Sequence, residues 1–554
     1  MKGLTRLMPQ LSPTVEEHLL EWLPAQRWFA STTAPTELTC VGGLVLPDPE
    51  EAAQLISYIY RVDENGPIIH VPITVRDEQV PALSDHLIGE SQRTSRRNPA
   101  KKYFYDGTAD PAFVTAWLHF VHNADRAYAD RVLGQPAAGF GLWPTSAIPE
   151  PEKLAMTIQP GEQSNTSVRI EGAQEPLIIK FFRHLSPGND VDVSTGLGLD
   201  SVRSEMVATT YGTISATWAP DATTELEPVP VQEREPEDSL DYGFSDNALS
   251  TGQQPVAEVF NLVEHFAAKE HELVTGQLCV LRHFYPQAQD AWSLGSLAAV
   301  RGYGFTVEAD ELGRTLARLH RDLAVAFGAQ EPDEQQRIQL VAQLSERLRW
   351  GYHQAEEVIG DHRLELEALI AELTEIATAP QLQRIHSDLH LGQIIRTDGH
   401  HWRVIDFEGE PLRADSGVSA VGYDLIERDL AGMLRSFDYA AALAHRVYFA
   451  DQQNTAPALS QTEAREWAEN CAKAFLAGYG AESGSDRTDF GTGALERALL
   501  LDKALYEVAY ELTHRQDWVH VPALAAQRLL APEGKDPAEL PTPAPVPAAQ
   551  EITE

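Results

Sequence analysis

Two runs near the N-terminus, residues 56–62 and 68–75, alternate between hydrophobic and polar side chains. A period of two is typical of β-strands that bury one face. Residues 15–23 instead carry hydrophobic side chains at the spacing of an amphipathic helix. We therefore predict that residues 1–110 form a small α+β subdomain, in which a meander of strands packs on a helix.

The next part of the chain, residues 111–285, combines one helical pattern with several strand patterns. Residues 111–122 have helical spacing of apolar side chains, and residues 156–170 predict a strand, a polar turn and a second strand. An apolar run at residues 277–285 predicts a strand that leads out of this region. Residues 219–256 are poor in large aliphatic side chains and rich in Pro, Glu, Asp, Ser and Thr, which predicts a flexible acidic insertion.

Residues 286–531 are almost entirely helical in pattern. Apolar side chains recur at i, i+3 and i+4 in residues 312–320, 336–350, 363–376, 424–439, 464–479 and 495–513. The tail, residues 532–554, is dense in Pro, Ala and Glu, and we expect it to be disordered. Together these patterns predict an α+β protein with a mixed α/β N-terminal lobe and a mainly helical C-terminal lobe.

Composition narrows the possible functions. The chain has 554 residues, too many for one hydrophobic core, and its 43 basic and 82 acidic residues give a formal net charge of −39. This balance argues against nucleic acid or an anionic membrane as a partner, because no broad basic surface is available to neutralise phosphates. A phosphate ligand would have to be held by a few well-positioned lysines and arginines.

The cysteines and the N-terminal residues give no sign of export. Cys40, Cys279 and Cys471 are far apart and form no CxxC motif, so the sequence predicts neither a disulfide framework nor a structural zinc site. Residues 1–21 contain charges and proline instead of a continuous apolar stretch, and no apolar run approaches the ~18 residues of a membrane-spanning helix. We expect a cytoplasmic protein.

The most informative motifs lie at residues 384–393 and 404–411. In protein kinases a catalytic Asp accepts the proton of the attacking hydroxyl, and an amide side chain about five positions later binds Mg²⁺ together with another Asp. Asp388 and Gln393 have this spacing, and Asp406 opens an Asp-Phe-Glu sequence. Apolar residues on either side of a Thr-Asp-Gly turn predict a β-hairpin that returns Gln393 to Asp406. The pattern predicts ATP-dependent phosphoryl transfer with Asp388 as base and Mg²⁺ on Gln393 and Asp406.

A nucleotide site also needs cations and small polar groups. The apolar strand predicted at residues 176–182 contains Lys180, and the preceding hairpin contains Ser164, Asn165 and Thr166. Small polar residues in a hairpin can present N–H groups and hydroxyls to a phosphate, while a lysine supplies a charge. We predict that these residues bind ATP. The alternative is that Lys180 simply extends into solvent from an edge strand.

Lys180 should have an acidic partner on the helix that follows it. After a segment rich in Gly, Asn, Asp and Ser, the helical pattern resumes at Leu199, which favours Glu205 as that partner. Asp190 and Asp192 are the alternatives.

These motifs together closely resemble the actinobacterial maltokinase family, a sugar-kinase branch of the aminoglycoside phosphotransferase and eukaryotic-like kinase group. The resemblance covers most of residues 19–530 outside the acidic insertion, and it is specific in residues 22–28, 162–167, 386–393, 406–411, 428–437 and 502–507. It implies a bilobal protein-kinase-like fold with a cap subdomain at residues 1–110, a nucleotide-binding lobe at residues 111–285 and a sugar-binding helical lobe at residues 286–531.

The resemblance also implies an activity, the transfer of the γ-phosphate of ATP to the anomeric hydroxyl of maltose. The products would be maltose 1-phosphate and ADP, and maltose 1-phosphate would feed α-glucan synthesis from trehalose. Association with a trehalose synthase is a further prediction.

Four residues of the C-terminal lobe are candidates for the sugar site. Glu408 is expected either beside the metal or on the sugar. His386 either braces the catalytic loop or takes part in the chemistry, and Arg435 either braces this loop through Asp429 or touches the sugar. Tyr506 could offer its ring to the sugar, the alternative being a place in the core.

The acceptor has an alternative, because the sequence departs from the family pattern. Ser387 stands where the family commonly has Gly, and the pattern is lost between Pro411 and Arg428. Relatives of the same architecture phosphorylate glucosamine, so an amino sugar or an aminoglycoside is the second candidate. A different class, a pseudokinase that binds nucleotide without turnover or binds a partner protein, is opposed by the joint presence of Lys180, Asp388, Gln393 and Asp406.

Overall fold

A computed structural model describes residues 11–12, 14–29, 34–46, 48, 53–93, 101–122, 126–128, 136–141, 154–159, 165–172, 175–188, 190–219, 274–376, 379–397, 401–409, 423–450 and 459–531. The chain divides into two compact units. The N-terminal unit comprises Met1–Ser201 and Ala208–Pro286, and the C-terminal unit comprises Val202–Val207 and Gln287–Glu554. Residues 220–256 of the predicted insertion and the predicted tail at 532–554 lie outside the described residues.

The first sheet of the N-terminal unit has seven strands: β1 (Leu11–Ser12), β2 (Leu38–Leu46), β3 (Ala53–Val62), β4 (Ile68–Arg76), β5 (Leu87–Arg93), β6 (Lys101–Asp106) and β12 (His184–Leu185). Their order is β1-β5-β6-β4-β3-β2, and β12 pairs with β4. Helix α1 (Val15–Trp22) starts at a capping box formed by Thr14 and Glu17. Strands β3 and β4 and helix α1 confirm the elements predicted for this region.

The second sheet also has seven strands: β7 (Arg126–Tyr128), β8 (Pro136–Gly141), β9 (Ala155–Ile158), β10 (Asn165–Glu171), β11 (Leu177–Phe182), β13 (Thr210–Trp218) and β14 (Val274–His283). Their order is β7-β8-β13-β14-β11-β10-β9. Helix α2 (Pro111–His122) has the predicted bounds and shares a hydrophobic core with this sheet. Its Trp117 ring lies 5.7 Å from the ring of Phe181 on β11.

The helix after β11 begins earlier than predicted. Helix α3 spans Val191–Ser201, whereas the hydrophobic pattern suggested a start at Leu199. Glycines and β-branched residues give this segment little helical propensity, but most of it is buried, and packing supplies the stability that propensity does not. The Asp190 carboxylate also accepts the N–H of Val193 at 3.1 Å, which satisfies one donor of the first turn.

The C-terminal unit is mainly helical: α4 (Ala291–Val300), α5 (Thr306–Phe327), α6 (Glu334–Ile359), α7 (Arg363–Thr374), α8 (Ile426–Ala450), α9 (Gln461–Ser483), α10 (Ala494–His514) and α11 (His520–Leu530). The six predicted helices are all present. Helices α5 and α9 approach closely at Gly313 and Gly478, because a Cβ on either glycine would lie 2.0 or 2.1 Å from a backbone oxygen of the other helix. Within the described residues, no helix is both long and apolar enough to cross a membrane.

Two small sheets interrupt the helices of this unit. One contains β15 (Gln289–Asp290), β18 (Ile394–Arg396) and β19 (Trp402–Val404), and the other contains β16 (Ala329–Gln330), β17 (Leu382–Gln383) and β20 (Asp424–Leu425). Strands β18 and β19 pair antiparallel, with Ile394 opposite Val404. The predicted hairpin is therefore confirmed.

Candidate active site

Asp388 lies in the loop between β17 and β18, within the C-terminal unit. Its Oδ1 is 2.8 Å from Nζ of Lys503 on α10. The two side chains are 16% and 10% exposed, so the charges interact with little screening by water. Lys503 was visible in the sequence only as part of the 502–507 motif, because helical spacing cannot indicate which loop α10 contacts. The composition offered a further indication, because the chain has only nine lysines and one of them lies within the helical pattern of residues 495–513.

His386 braces the same loop through both ring nitrogens. Its Nε2 lies 2.9 Å from the carbonyl oxygen of Ile405, and its Nδ1 lies 3.3 Å from the backbone nitrogen of Asp388. A carbonyl only accepts and a backbone N–H only donates, so Nε2 donates to Ile405 and Nδ1 accepts from Asp388. The ring also packs on Phe407 at a centroid distance of 4.8 Å. These contacts support the bracing role and leave the ring nitrogens occupied within the protein.

Asp429, near the start of α8, holds the backbone of this loop. Its two carboxylate oxygens accept the N–H groups of His386 at 2.8 Å and Ser387 at 2.9 Å. His320 lies 3.1 Å from the same carboxylate. Ser387 has φ = 73°, a left-handed conformation that favours glycine, and this explains the glycine preference inferred for that position.

Arg435 does not act through Asp429, and that prediction is wrong. Its guanidinium instead lies 2.9 Å from Glu507 and 2.5 Å from Asp438. The Arg435 side chain is only 3% exposed, which also argues against direct contact with a sugar. Burial raises the pKa of Glu507, while the positive charge of Arg435 opposes that rise. Residues 429 and 435 are six apart on α8 and so do not share a helix face, and Glu507, the buried acidic partner of Arg435, comes from α10.

Gln393 and Asp406 meet as predicted from the hairpin. The amide nitrogen of Gln393 is 3.2 Å from Oδ2 of Asp406, and a carboxylate oxygen of Glu408 lies within 4.8 Å of one from Asp406. Amide and carboxylate oxygens are the ligands that Mg²⁺ prefers. Asp406 has φ = 67°, and such strained backbone in a residue other than glycine is concentrated at functional sites. The donor set therefore suits a hard divalent cation.

Lys180 lies on β11 in the N-terminal unit, and its acidic neighbour is Asp192 on α3. The Lys180 ammonium is 3.8 Å from Oδ2 of Asp192, and the Arg282 guanidinium lies 2.8 Å from the same oxygen. The choice of Glu205 is wrong, because α3 ends at Ser201 and Glu205 follows it as an exposed residue in the Val202–Val207 segment. The rival Asp192 is the residue that the tertiary structure favours.

The polar hairpin before Lys180 is only partly described. Ser164 lies outside the described residues, while Asn165 and Thr166 open β10 and are both buried. Thr166 accepts a hydrogen bond from Nε of Arg183 at 2.8 Å. Arg183 is fully buried and also donates to Asp106 at 2.7 Å, so the Thr166 hydroxyl belongs to an internal network. The network therefore argues against the predicted phosphate contact of the Thr166 hydroxyl.

Tyr506 lies on α10, one turn after Lys503. Its side chain is 6% exposed, and the Lys503 ammonium lies 5.0 Å from the centre of its ring. A ring covered in this way has little surface to offer a sugar. The structure thus favours a packing and cation–π role for Tyr506 over the predicted sugar contact.

Two parts of the chain match known families. Residues 22–110 match the family model of the maltokinase N-terminal cap domain, and residues 306–469 match that of the phosphotransferase enzyme family. Both matches lie within the range of the predicted resemblance and confirm it. They also confirm the predicted enzyme class, that of the phosphotransferases.

Two curated relatives are glucosamine kinases. The protein from Streptacidiphilus jiangxiensis is 29% identical over 244 residues, which cover 41% of this chain and 50% of the relative. The protein from Mycolicibacterium smegmatis is 32% identical over 177 residues, which cover 31% of this chain and 41% of the relative. The chain therefore spans half or less of the length of these curated relatives.

Two solved structures of glucosamine kinases are similar in fold to most of this chain. Crystal form B gives a TM-score of 0.55 at 17% identity and covers 94% of this chain and 100% of that chain. The complex with glucosamine, ADP and inorganic phosphate gives a TM-score of 0.51 at 16% identity, with the same coverage. At this identity the likeness concerns the fold. It confirms a kinase-like fold with mixed N-terminal sheets and a helical C-terminal region.

Proposed function

We propose that this chain transfers the γ-phosphate of ATP to a sugar hydroxyl, and the family-model matches at residues 22–110 and 306–469 support this proposal. The observation that carries this proposal is the 3.2 Å contact between Gln393 and Asp406 on the hairpin that follows Asp388. A carboxylate base followed by an amide and a second Asp beside each other is the arrangement that phosphoryl transfer requires.

Asp388 is the proposed base. Its carboxylate orients the attacking hydroxyl and accepts the proton as the bond to phosphorus forms. His386 and Asp429 keep the loop in position through hydrogen bonds to its backbone. Little covalent chemistry is required of the protein, so positioning of this loop supplies much of the rate enhancement.

Lys180 is the proposed phosphate ligand in the N-terminal unit. Oδ2 of Asp192 lies 3.8 Å from its ammonium, close enough to attract and orient the lysine. The Arg282 guanidinium is closer to the same Asp192 oxygen, at 2.8 Å. A lysine held beside a carboxylate in this way supplies a point charge of the kind that binds phosphate oxygens.

Mg²⁺ would be held by carboxylate oxygens of Asp406 and Glu408 and by the amide oxygen of Gln393, whose amide nitrogen donates to Asp406 in this structure. When bound, the ion would neutralise charge that develops on the β- and γ-phosphates.

Maltose is the proposed acceptor, at its anomeric hydroxyl, with maltose 1-phosphate and ADP as products. The match of residues 22–110 to the maltokinase cap domain supports this choice. It would place the protein in trehalose-to-glycogen metabolism in the cytoplasm, where association with a trehalose synthase is a further expectation.

Glucosamine is the second candidate acceptor. It is supported by the curated relatives and the solved structures, which are named as glucosamine kinases. A glucosamine site needs a carboxylate beside the ammonium, because burial of a cation without a partner is costly.

The test is ADP release from Mg·ATP with maltose, glucose, glucosamine and an aminoglycoside, followed by NMR to locate the phosphate in the product. Phosphate on the anomeric oxygen of maltose would support the maltose proposal, and a preference for glucosamine would replace it with the second candidate. Nucleotide binding without transfer to any sugar would contradict both and favour a pseudokinase.

A matched control shows whether Asp388 is the base. Asp388→Asn should retain nucleotide binding and lose about 10³-fold in kcat, because an amide cannot accept the proton. The exposed Asp361→Asn should keep wild-type kcat. A near-normal rate for Asp388→Asn would show that the base is assigned to the wrong residue.

A further inference from the structure

The ion pair between Lys503 and Asp388 joins two parts of the C-terminal unit that are 115 residues apart in sequence. Lys503 Nζ is 2.8 Å from Oδ1 of Asp388, and both side chains are largely buried. Burial of a lysine ammonium is costly unless a carboxylate compensates for it. The position of Lys503 therefore requires an explanation beyond helix stability.

The backbone that carries Lys503 is held on both sides. The preceding residue, Asp502, lies 3.0 Å from Arg347 and 2.6 Å from Arg428, and all three side chains are nearly buried. On the other side, the Tyr506 ring lies under the Lys503 ammonium at 5.0 Å. Because these contacts hold α10 and the Lys503 side chain in place, Lys503 loses little further conformational freedom when it pairs with Asp388.

Another acid on the same helix could account for the lysine instead. Glu507 is one turn away from Lys503, and the two charges attract each other. Glu507, however, has its own buried cation, since Arg435 lies 2.9 Å from its carboxylate. Lys503 pairs directly with Asp388 at 2.8 Å, so the lysine is matched to the catalytic loop.

We propose that Lys503 is the positioning residue of the base. It holds Oδ1 of Asp388, which sets the rotation of the carboxylate and directs Oδ2 to the acceptor hydroxyl. In the proposed reaction, the proton of that hydroxyl moves to Oδ2 while the oxygen bonds to the γ-phosphorus and the bond to the ADP oxygen breaks. This inference rests on the proposed kinase function, since it assigns a role to Lys503 only through Asp388.

The experiment is a double-mutant cycle in the full chain. Lys503→Met keeps the length and packing of the stem and removes the charge, Lys503→Arg keeps the charge, and Asp388→Asn removes the base. Lys473→Met, on an exposed part of α9, is the matched control. For each variant, kcat and the KM for acceptor and for ATP are measured, together with urea unfolding.

Lys503→Met should lower kcat by about 10²-fold, because a misoriented base loses much of its catalytic effect, with the KM for ATP within about twofold of wild type. Lys503→Arg should recover at least about tenfold of that loss, and Lys473→Met should match wild type. In the Asp388→Asn background, Lys503→Met should cause less than about a threefold further loss, because the lysine then has no base to position.

Chemical rescue covers the case in which Lys503→Met unfolds. Lys503→Ala should gain activity on addition of ethylammonium, which can occupy the vacated site and restore the charge. A role limited to helix packing would give no such rescue.

A Lys503→Met rate within about threefold of wild type, or full additivity with Asp388→Asn, would overturn the inference while leaving the kinase proposal intact. An inactive wild-type protein across the whole acceptor panel would instead overturn the kinase proposal and this inference with it.

Discussion

The carboxylate of Asp429 accepts the backbone N–H of His386 at 2.8 Å, and this bond anchors the catalytic loop to α8. The second oxygen of Asp429 accepts the N–H of Ser387 at 2.9 Å. Hydrogen bonds to a charged, buried acceptor are stronger than those between neutral groups. The position of Asp388 is thus set by a residue that belongs to a helix more than forty positions further along the chain.

Asp429→Asn should damage both stability and activity. The amide can present an oxygen to only one of the two N–H groups, and its NH₂ would face the other donor. We expect a loss of about 2–3 kcal/mol in the free energy of unfolding and at least a tenfold fall in kcat, measured by urea unfolding and ADP release. The exposed Asp361→Asn is the control and should change neither. A stable Asp429→Asn protein with normal kcat would contradict the anchoring role.

Ser387→Gly should stabilise the protein. At φ = 73° a serine side chain is strained, whereas glycine adopts this backbone conformation readily. We expect the free energy of unfolding to rise by about 0.5–1 kcal/mol in urea titrations. Ser293→Gly, at an exposed position in the first turn of α4, should have the opposite sign because its backbone is helical. An equal loss in both variants would show that Ser387 is not strained.

Asp406→Asn should weaken the dependence of the reaction on bound Mg²⁺. The substitution keeps the size of the side chain and its contact with Gln393 but removes the negative charge that attracts the cation. We expect the Mg²⁺ concentration for half-maximal ADP release to rise at least about tenfold, since carboxylate charge contributes much of the affinity of such sites. The same Mg²⁺ titration of Asp361→Asn should follow wild type. An unchanged titration for Asp406→Asn would exclude Asp406 as a metal ligand.

His70 should make stability sensitive to acid. It is fully buried between Ser57, at 2.6 Å, and the carbonyl oxygen of Phe182, at 3.1 Å. Burial, with a smaller contribution from the charge of Arg183, lowers the pKa of His70 to about 3. In the unfolded chain a histidine has a pKa of about 6.5. Between pH 6.5 and pH 3 the unfolded chain therefore binds a proton on His70, whereas the folded protein does not. The stabilisation is complete above pH 6.5 and is lost as the pH falls towards 3.

From pH 7 to pH 4.5 this loss amounts to roughly 2–3 kcal/mol from His70 alone. The His70→Gln variant has no group at this position that titrates in this range. Its free energy of unfolding should therefore fall less than that of wild type between pH 7 and pH 4.5, and the difference should be roughly 2–3 kcal/mol. Urea unfolding of both proteins at each pH measures the difference. Equal losses would mean that His70 is not kept neutral by the fold.

The sequence by itself determined the local elements of this protein. The apolar spacing of α5, α6 and α10, the alternation in β3 and β4, and the hairpin that joins Gln393 to Asp406 were all predictable. Each of these elements depends on residues that are close in sequence. The periods of the helix and the strand fix the spacing of the apolar residues on the buried face, so the sequence alone shows that face. The spacing of Asp388, Gln393 and Asp406 likewise indicated phosphoryl transfer before any contact was known.

Tertiary structure alone decided which charges meet. Lys180 lies beside Asp192 and not Glu205, because burial makes a helix of a segment with low helical propensity. Arg435 pairs with Glu507 on another helix, and Lys503 reaches Asp388 across 115 residues of sequence. Hydrophobic periodicity specifies the buried face of a helix but not the element that covers it. The pairing of buried charges depends on that packing, so it becomes visible only when the chain is folded.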